Sequence, residues 1–486
     1  MLKSVCVAAR SDRQNFLKTC VRYNFIKKKS RFKLSELLEN IDFIIDPFFT
    51  PEELNQLARK TQFVHRKGKI DGSLFFDLIV FHSEALKSQS LNDLSASFKV
   101  KNHIEITKQS LHERFNKNAL DFLKEALKRM LKKQLTTPQI KSPKSFNRIL
   151  IKDSTCFQVD ESFVKDYPGS GGGGSKASIR IQFEYDVLSG NINDLSINAF
   201  NEQDAKDSLA TINLTRMGDL IIRDLAYMSL AVLQLIETWT AYYLCRTSPS
   251  VHVFEKQNDN EYHMMDFVTI QQYMKKHGLN CLEKEAYLGK KEKFTTRLII
   301  YLLPEEEVAK RIRKAEFNNK KKKSKKPLSK EYKARAALNL FVTNANSDEI
   351  PMEKVWSLYR LRWQIELIFK IWKSVCHIEK VKKVKQHRLE CYIFSKLILI
   401  VLAWQILWRT AQNLFLREGK ALSFFKSSKT LFSLKIDELR EIFILRKSTM
   451  ETFMKNFYSL SRSNHLLEKR SKKPTSQELL LDCLRG

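Results

Sequence analysis

Four polar side chains share one stripe of the segment Met352 to Val375, MEKVWSLYRLRWQIELIFKIWKSV. At ~100° per residue around a helix, with Tyr359 set at zero, Arg362 falls at roughly 300°, Glu366 at roughly 340° and Lys373 at roughly 320°. Leu358, Leu361, Ile365, Ile368, Phe369, Trp372 and Val375 fill the arc from roughly 160° to 280°, a face that must pack on a core. The stripe therefore runs along the edge of the buried face, where partly shielded groups can act. An i,i+4 ion pair accounts for Arg362 and Glu366 but leaves the tyrosine and the lysine unexplained. Elsewhere two apolar runs end on an acid, RILIKDST at Asp153 and GDLIIRDLAY at Asp224. Gathered from strand ends and a helix, such acids are hard oxygen ligands for divalent cations. Any one of them alone, among 54 Asp and Glu, would mean little.

The elements that must position these groups are legible in outline. Thr50-Pro51-Glu52-Glu53 reads as a helix cap followed by proline and an acid in the first turn. Ser90 to Phe98 and Ser110 to Lys133 are amphipathic segments joined by a short basic stretch. They read either as a helix-turn-helix presenting Lys108, Gln109, His112 and Arg114 to a groove, or as an ordinary helical hairpin. From about residue 146 the pattern turns to strands. Ile179, Ile181, Phe183 and Tyr185 alternate with Arg180, Gln182 and Glu184, and Ile192 to Phe200 follows as a further strand. A long helix is expected from roughly Tyr227 to Tyr243, and helices prevail after residue 352. The glycine run of residues 168–176 has its lysine and hydroxyl in the wrong order for a phosphate loop and precedes a strand, so a flexible loop is expected.

Composition narrows the partners. The 486 residues carry a net +31, which argues for a polyanion, while 43% hydrophobic residues and 32 Phe exclude a solvated basic tail. The 26 residues from Lys310 to Arg335 alone hold 13 Lys/Arg and 2 Glu; taken in isolation, such a run is a solvated face. Eight cysteines without a CxxC pair indicate neither a zinc site nor a disulfide framework, and a reducing, cytoplasmic location is expected. The first twenty residues hold no apolar run long enough for a signal peptide. Tyr392 to Trp408, interrupted by Lys396 and Gln405, reads as a buried helix rather than a membrane span.

The spacing Tyr-x2-Arg-x3-Glu-x6-Lys, from Tyr359 to Lys373, resembles the YREK signature of DDE-type insertion-sequence transposases, specifically the IS-four family. Asp153-Ser154-Thr155 resembles the motif of that family's first aspartate. Asp224-Leu225-Ala226-Tyr227 resembles that of the second, with Ala226 where glycine is usual. The three motifs come in the right order, and the resemblance covers roughly residues 50–410. It implies an α/β chain with an RNase H-like catalytic core. The boundaries it suggests are a helical DNA-end-binding region over 1–135, the first part of the core over 146–243, a β-rich basic insertion over 244–345, the second part of the core over 346–410 and a helical C-terminal region over 411–486.

The resemblance also implies roles. Asp153, Asp224 and Glu366 would be the catalytic acids and would bind two Mg²⁺ ions, with Mn²⁺ a possible substitute and Asp153 bridging both. Tyr359, Arg362 and Lys373 would contact the DNA end, with a solvated cation the lesser alternative for Lys373. Where the second strand is cut through a hairpin, an aromatic such as Phe341 or Trp356 would hold a flipped base. The implied reaction is cleavage at the ends of the chain's own mobile element and joining of the 3′-hydroxyls to target DNA. Its partners would be double-stranded transposon ends and target, in a homodimeric synaptic complex on chromosomal DNA, with no membrane. Residues 428–445, SKTLFSLKIDELREIFIL, offer a place for the two copies to meet. The alternatives are an RNase H-like structure-selective nuclease without strand transfer and a catalytically inactive DNA-binding regulator. If DNA is the partner, each phosphate neutralised adds about −0.9 to the slope of log affinity against log salt. A steep slope is expected in a binding titration across salt concentrations, and a flat one would contradict the DNA role.

Overall fold

The computed structural model describes residues 49–479 apart from 67, 83–89, 135–145, 171–175, 203, 228, 248–250, 257–260, 322–326, 446–448, 469–474 and 476. The first 48 residues, the centre of the glycine run and the middle of the basic run thus lie outside the described residues. Helices come first: α1 (Pro51–Lys60), α2 (Gly72–Phe81), α3 (Leu91–Asn102), α4 (Lys108–Arg114) and α5 (Lys117–Lys132). The expected cap forms, with the Thr50 hydroxyl accepting the Glu53 amide at 3.1 Å and the Glu53 carboxylate accepting the Thr50 amide at 2.8 Å. The segment expected to be one helix from Ser110 is broken at Phe115, and Asn116 caps a new helix. Arg114 does not face a groove: its guanidinium donates to the Ile70 carbonyl at 2.8 Å and lies over the Phe63 ring.

Among the described residues ten strands then build one sheet: β1 (Arg148–Gln158), β2 (Ser178–Asp186), β3 (Ile192–Ala199), β4 (Asp219–Arg223), β5 (Tyr242–Arg246), β6 (Val253–Lys256), β7 (Tyr262–Met264), β8 (Cys281–Leu288), β9 (Phe294–Leu302) and β10 (Leu338–Thr343). Their order is β3-β2-β1-β4-β5-β10-β9-β8-β6-β7. The first three are antiparallel, while β4 runs parallel to β1 and β5 parallel to β4. The expected helix to Tyr243 is shorter than its apolar pattern suggests. It spans Leu230–Thr238, a turn with Thr240 at positive φ follows, and the aromatic run Tyr242–Arg246 enters the sheet as a strand. Strands after residue 244 continue the same sheet, because β10 pairs antiparallel with β5.

Helices cover both faces: α6 (Asp204–Ala210), α7 (Leu230–Thr238), α8 (Phe267–Lys276), α9 (Glu305–Lys321), α10 (Lys330–Ala336), α11 (Met352–Tyr359), α12 (Gln364–Ser374), α13 (Gln386–Glu418), α14 (Phe424–Leu434) and α15 (Met450–Asn464). Strand pleating sends Ile149 and Ile151 into one core with α11 to α13, and Leu150 into a second core with α7 and α8. Helix α13 is long and apolar enough to cross a membrane by composition, but it lies almost wholly buried inside the fold. Most apolar residues of 428–445 are used within the chain: Leu431, Leu439, Ile442 and Phe443 are buried, and Arg440 pairs with buried Asp77 at 2.6 Å, whereas Leu434 is exposed.

The turn between β2 and β3 meets α13 at Gly190, whose φ is +77° and whose carbonyl accepts the Trp404 indole at 2.7 Å. A Cβ there would come within 2.3 Å of Trp408, whereas Gly278, also at positive φ, has nothing within 4 Å. Gly190→Ala should cost about 2–5 kcal/mol, from left-handed strain plus overpacking, and Gly278→Ala about 1–2 kcal/mol from strain alone. Urea unfolding of both variants checks the difference; equal losses would contradict the close approach.

Candidate active site

Parallel pairing of β1 with β4 sets the site. The register joins Arg148 to Asp219 and runs to Lys152 beside Arg223, so the next residues on the two strands emerge side by side: Asp224 just past the end of β4, and Asp153 not at a strand end as expected but midway along β1, which continues to Gln158 against β2. Neighbouring strands lie about 4.8 Å apart. Pleating turns Lys152 and Asp153 to opposite faces. Lys152, fully buried, is held by Asp194 at 2.8 Å and Asp207 at 2.5 Å, and Arg223 pairs with Glu184 at 2.6 Å. Both basic side chains are thus anchored beneath the sheet, and each aspartate is fixed from behind by its neighbour in sequence.

Over the acids lies the segment with the polar stripe, which is not one continuous helix. Helix α11 ends at Tyr359, Arg360–Trp363 wind as a tighter 3-10 turn, and α12 resumes at Gln364. The stripe survives this change. The Tyr359 hydroxyl donates to Asp224 at 3.3 Å. The Arg362 guanidinium is shared, with Nη1 2.9 Å from Asp153 and Nη2 2.9 Å from Glu366. Lys373 donates to the Cys156 carbonyl at 2.9 Å, tying α12 to β1, and lines an open cleft of about 560 Å³ beside Glu366. The structure therefore gathers Asp153, Asp224, Tyr359, Arg362 and Glu366 at one place, with Lys373 two turns beyond Glu366.

Electrostatics follow from this geometry. Burial pushes the Asp153 carboxyl up to about 6; the Ser154 amide and Arg362 oppose the shift, and Asp224 and Glu366 add to it. Burial also raises the Tyr359 phenol, with the Asp224 charge beside it. For Arg362 burial works against the charge, but Tyr359, Asp224, Asp153 and Glu366 outweigh it and the guanidinium is held more firmly protonated. As they stand, no three acids, histidines or cysteines among the described residues are drawn tightly enough together to hold a metal ion. Arg362 is the cation between Asp153 and Glu366.

The aromatics offered for a flipped base are packed against one another and against Tyr359. Phe341 is buried, and Trp356 packs against Phe341 and Tyr301. Sequence reasoning also passed over Lys152 and Arg223, whose signal was the repeated pattern of a basic residue just before each of the two aspartates.

A family model described as transposase DDE domain matches residues 144–402, a span that contains all three acids and the polar stripe. The chain is a DDE-type DNA transposase. It is 34% identical over 438 residues to the transposase of insertion sequence element IS231E from Bacillus thuringiensis subsp. finitimus, covering 87% of this chain and 90% of that protein. To the IS1151 transposase of Clostridium perfringens it is 30% identical over 411 residues, 81% and 86% of the two chains. The piggyBac transposase in a synaptic complex with hairpin DNA aligns over 88% of this chain and 84% of its own, at 9% identity and a TM-score of 0.40. The chain belongs to the IS4-like family of DDE insertion-sequence transposases, and membership of that family implies use of a divalent metal.

Asp153 makes a testable contribution to stability. Its folded carboxyl keeps a proton to about pH 6, against 3.8 ordinarily, so the group favours folding most below pH 4 and that contribution is lost as pH rises through 6. The difference corresponds to about 3 kcal/mol of unfavourable charge. Metal-free Asp153→Asn should therefore unfold at higher urea than wild type at pH 8 and match it at pH 4; a constant offset at both would refute the burial account.

Proposed function

We propose that this chain binds the inverted repeats of its own insertion sequence, cleaves the DNA ends by phosphodiester hydrolysis at Asp153, Asp224 and Glu366, and joins the freed 3′-hydroxyls to target DNA. The observation that carries the reading is the in-register emergence of Asp153 and Asp224 beneath the Tyr359 to Glu366 stripe. The strand order β3-β2-β1-β4-β5, with its first three strands antiparallel and the rest parallel, supports an RNase H-like core.

The acids fit a metal cofactor in kind: every donor is a hard carboxylate oxygen, and the space between Asp153 and Glu366 already accommodates a cation, the Arg362 guanidinium. Two Mg²⁺ ions, or Mn²⁺ in their place, would be held by Asp153, Asp224 and Glu366 and would supply charge stabilisation at the attacking and leaving oxygens. The chain's own groups do the rest. Arg362, with a planar donor fork, suits a phosphate of the DNA end, and Lys373 supplies a second cation on the same side. Tyr359 offers its hydroxyl to a phosphate or sugar and steadies Asp224 meanwhile. Holding a scissile phosphate on two paired ends calls for two copies of the chain, a homodimeric synaptic complex.

On linear DNA carrying the flanking inverted repeats, wild type with Mg²⁺ should nick at the repeat ends. Asp224→Asn and Glu366→Gln should cut at least about 10³-fold more slowly yet retard the same DNA in a gel. Undiminished cleavage by Glu366→Gln would remove that residue from the site, and cleavage indifferent to the repeat would point to a nuclease.

A further inference from the structure

Two clefts open from the acids in different directions. One is the cleft of about 560 Å³ beside Glu366, where Lys370, Lys373 and Lys380 line the wall. The other, about 920 Å³, begins at Asp224 and runs between the end of β5, α8, α9 and α10. We propose that this second cleft seats the donor DNA beyond the cleavage point, the flank that is left behind, while the first seats the element's own end. The assignment rests on the reading of Asp153, Asp224 and Glu366 as the cleavage site.

A phosphodiester held at those acids continues as a charged strand on both sides, and each side needs a cationic seat. The first cleft contains Lys373, the proposed contact to the element end, which leaves the opposite direction to the flank. The second cleft has the chemistry for that strand. Arg246, at the last position of β5, and exposed Lys314 on α9 have no acid or carbonyl partner among the described residues. Arg246 lies close enough to Tyr359 on one side and to Arg311 on the other for its charge to act on both, so it stands between the acids and the wall of the cleft. Arg311 is fixed by the carbonyls of Ala336 and Leu338 and by the Asn339 side chain, a rigid charge in the wall.

Two acids also line this cleft, and both are engaged locally at helix starts. Asp266 caps α8, accepting the amides of Val268 and Thr269. Glu331 sits in the first turn of α10, held by its own amide and by Ser329. Negative charge at a helix N-terminus is offset by the helix dipole, so these two acids weaken the cleft's field less than free carboxylates would. Exposed Tyr332 adds a ring on which an unpaired base can stack.

The test compares two duplexes by fluorescence anisotropy: the repeat ending at the cleavage point, and the same repeat extended by two helical turns of flank. Wild type should bind the extended duplex more tightly. Lys314→Glu, and separately Arg246→Gln, should erase that advantage, a loss of about tenfold, and reduce the salt slope on the extended duplex by about 0.9 for each contact removed. Binding of the pre-cut repeat should stay within about twofold of wild type, which also reports that the variants fold. Lys370→Glu, in the other cleft, should weaken both duplexes alike. Equal losses on both duplexes from Lys314→Glu and Arg246→Gln would overturn the cleft assignment alone, as would a defect seen only when a pre-cut end captures target DNA. Undiminished Mg²⁺-dependent cleavage of the extended duplex by Glu366→Gln would overturn the cleavage-site reading and the flank assignment with it.

Discussion

The parallel registry of β1 with β4 is the constraint from which everything at the site follows. A one-residue slip would carry Asp153 to the opposite face and exchange it with Lys152. That slip is forbidden from below. Lys152 and Arg223 sit side by side, both buried, and only Glu184, Asp194 and Asp207 make two positive charges tolerable there. Breaking such a set by removing one partner costs about 3–5 kcal/mol, so the ion cluster is a device for specifying register more than a source of net stability.

Above the sheet the balance is reversed. Three acids approach one another with a single guanidinium between two of them, and the half-buried carboxyl of Asp153 is held against its preference for water. The fold thus keeps the lower layer satisfied and the upper layer short of positive charge. A site in this condition favours any cation, metal or side chain, that can reach its oxygens, and Arg362 meets that demand in the free chain.

Much of this was legible in the sequence because it depends on local pattern. The two aspartates followed from apolar runs broken by acids, although only Asp224 ends its strand, and the stripe from Tyr359 to Lys373 followed from helical periodicity. The 3-10 turn at Arg360–Trp363 was not legible, since its residues are compatible with an α-helix and its tightening answers to what packs beneath it. Strand β5 was missed because Tyr242–Arg246 directly follows an apolar helix, and only the positive φ at Thr240 separates them. The expectation of a β-rich insertion named strands without naming their partners; pairing of β5 with β10, nearly a hundred residues apart, is a tertiary fact that no window reveals.

That same pairing has a consequence in time. Asp224 and Glu366 are separated by 142 residues, and β5 waits on β10 to cover its second edge. At about 5–20 residues per second of synthesis, Glu366 leaves the ribosome roughly 7–28 s after Asp224. Until β10 follows, for most of that interval, the nascent chain carries two of the acids, no stripe above them and a bare sheet edge. On the proposed reading of the acids, a chain released early would be unable to cut DNA but prone to stick to its neighbours, so completeness of translation would itself be a safeguard written into the order of the strands.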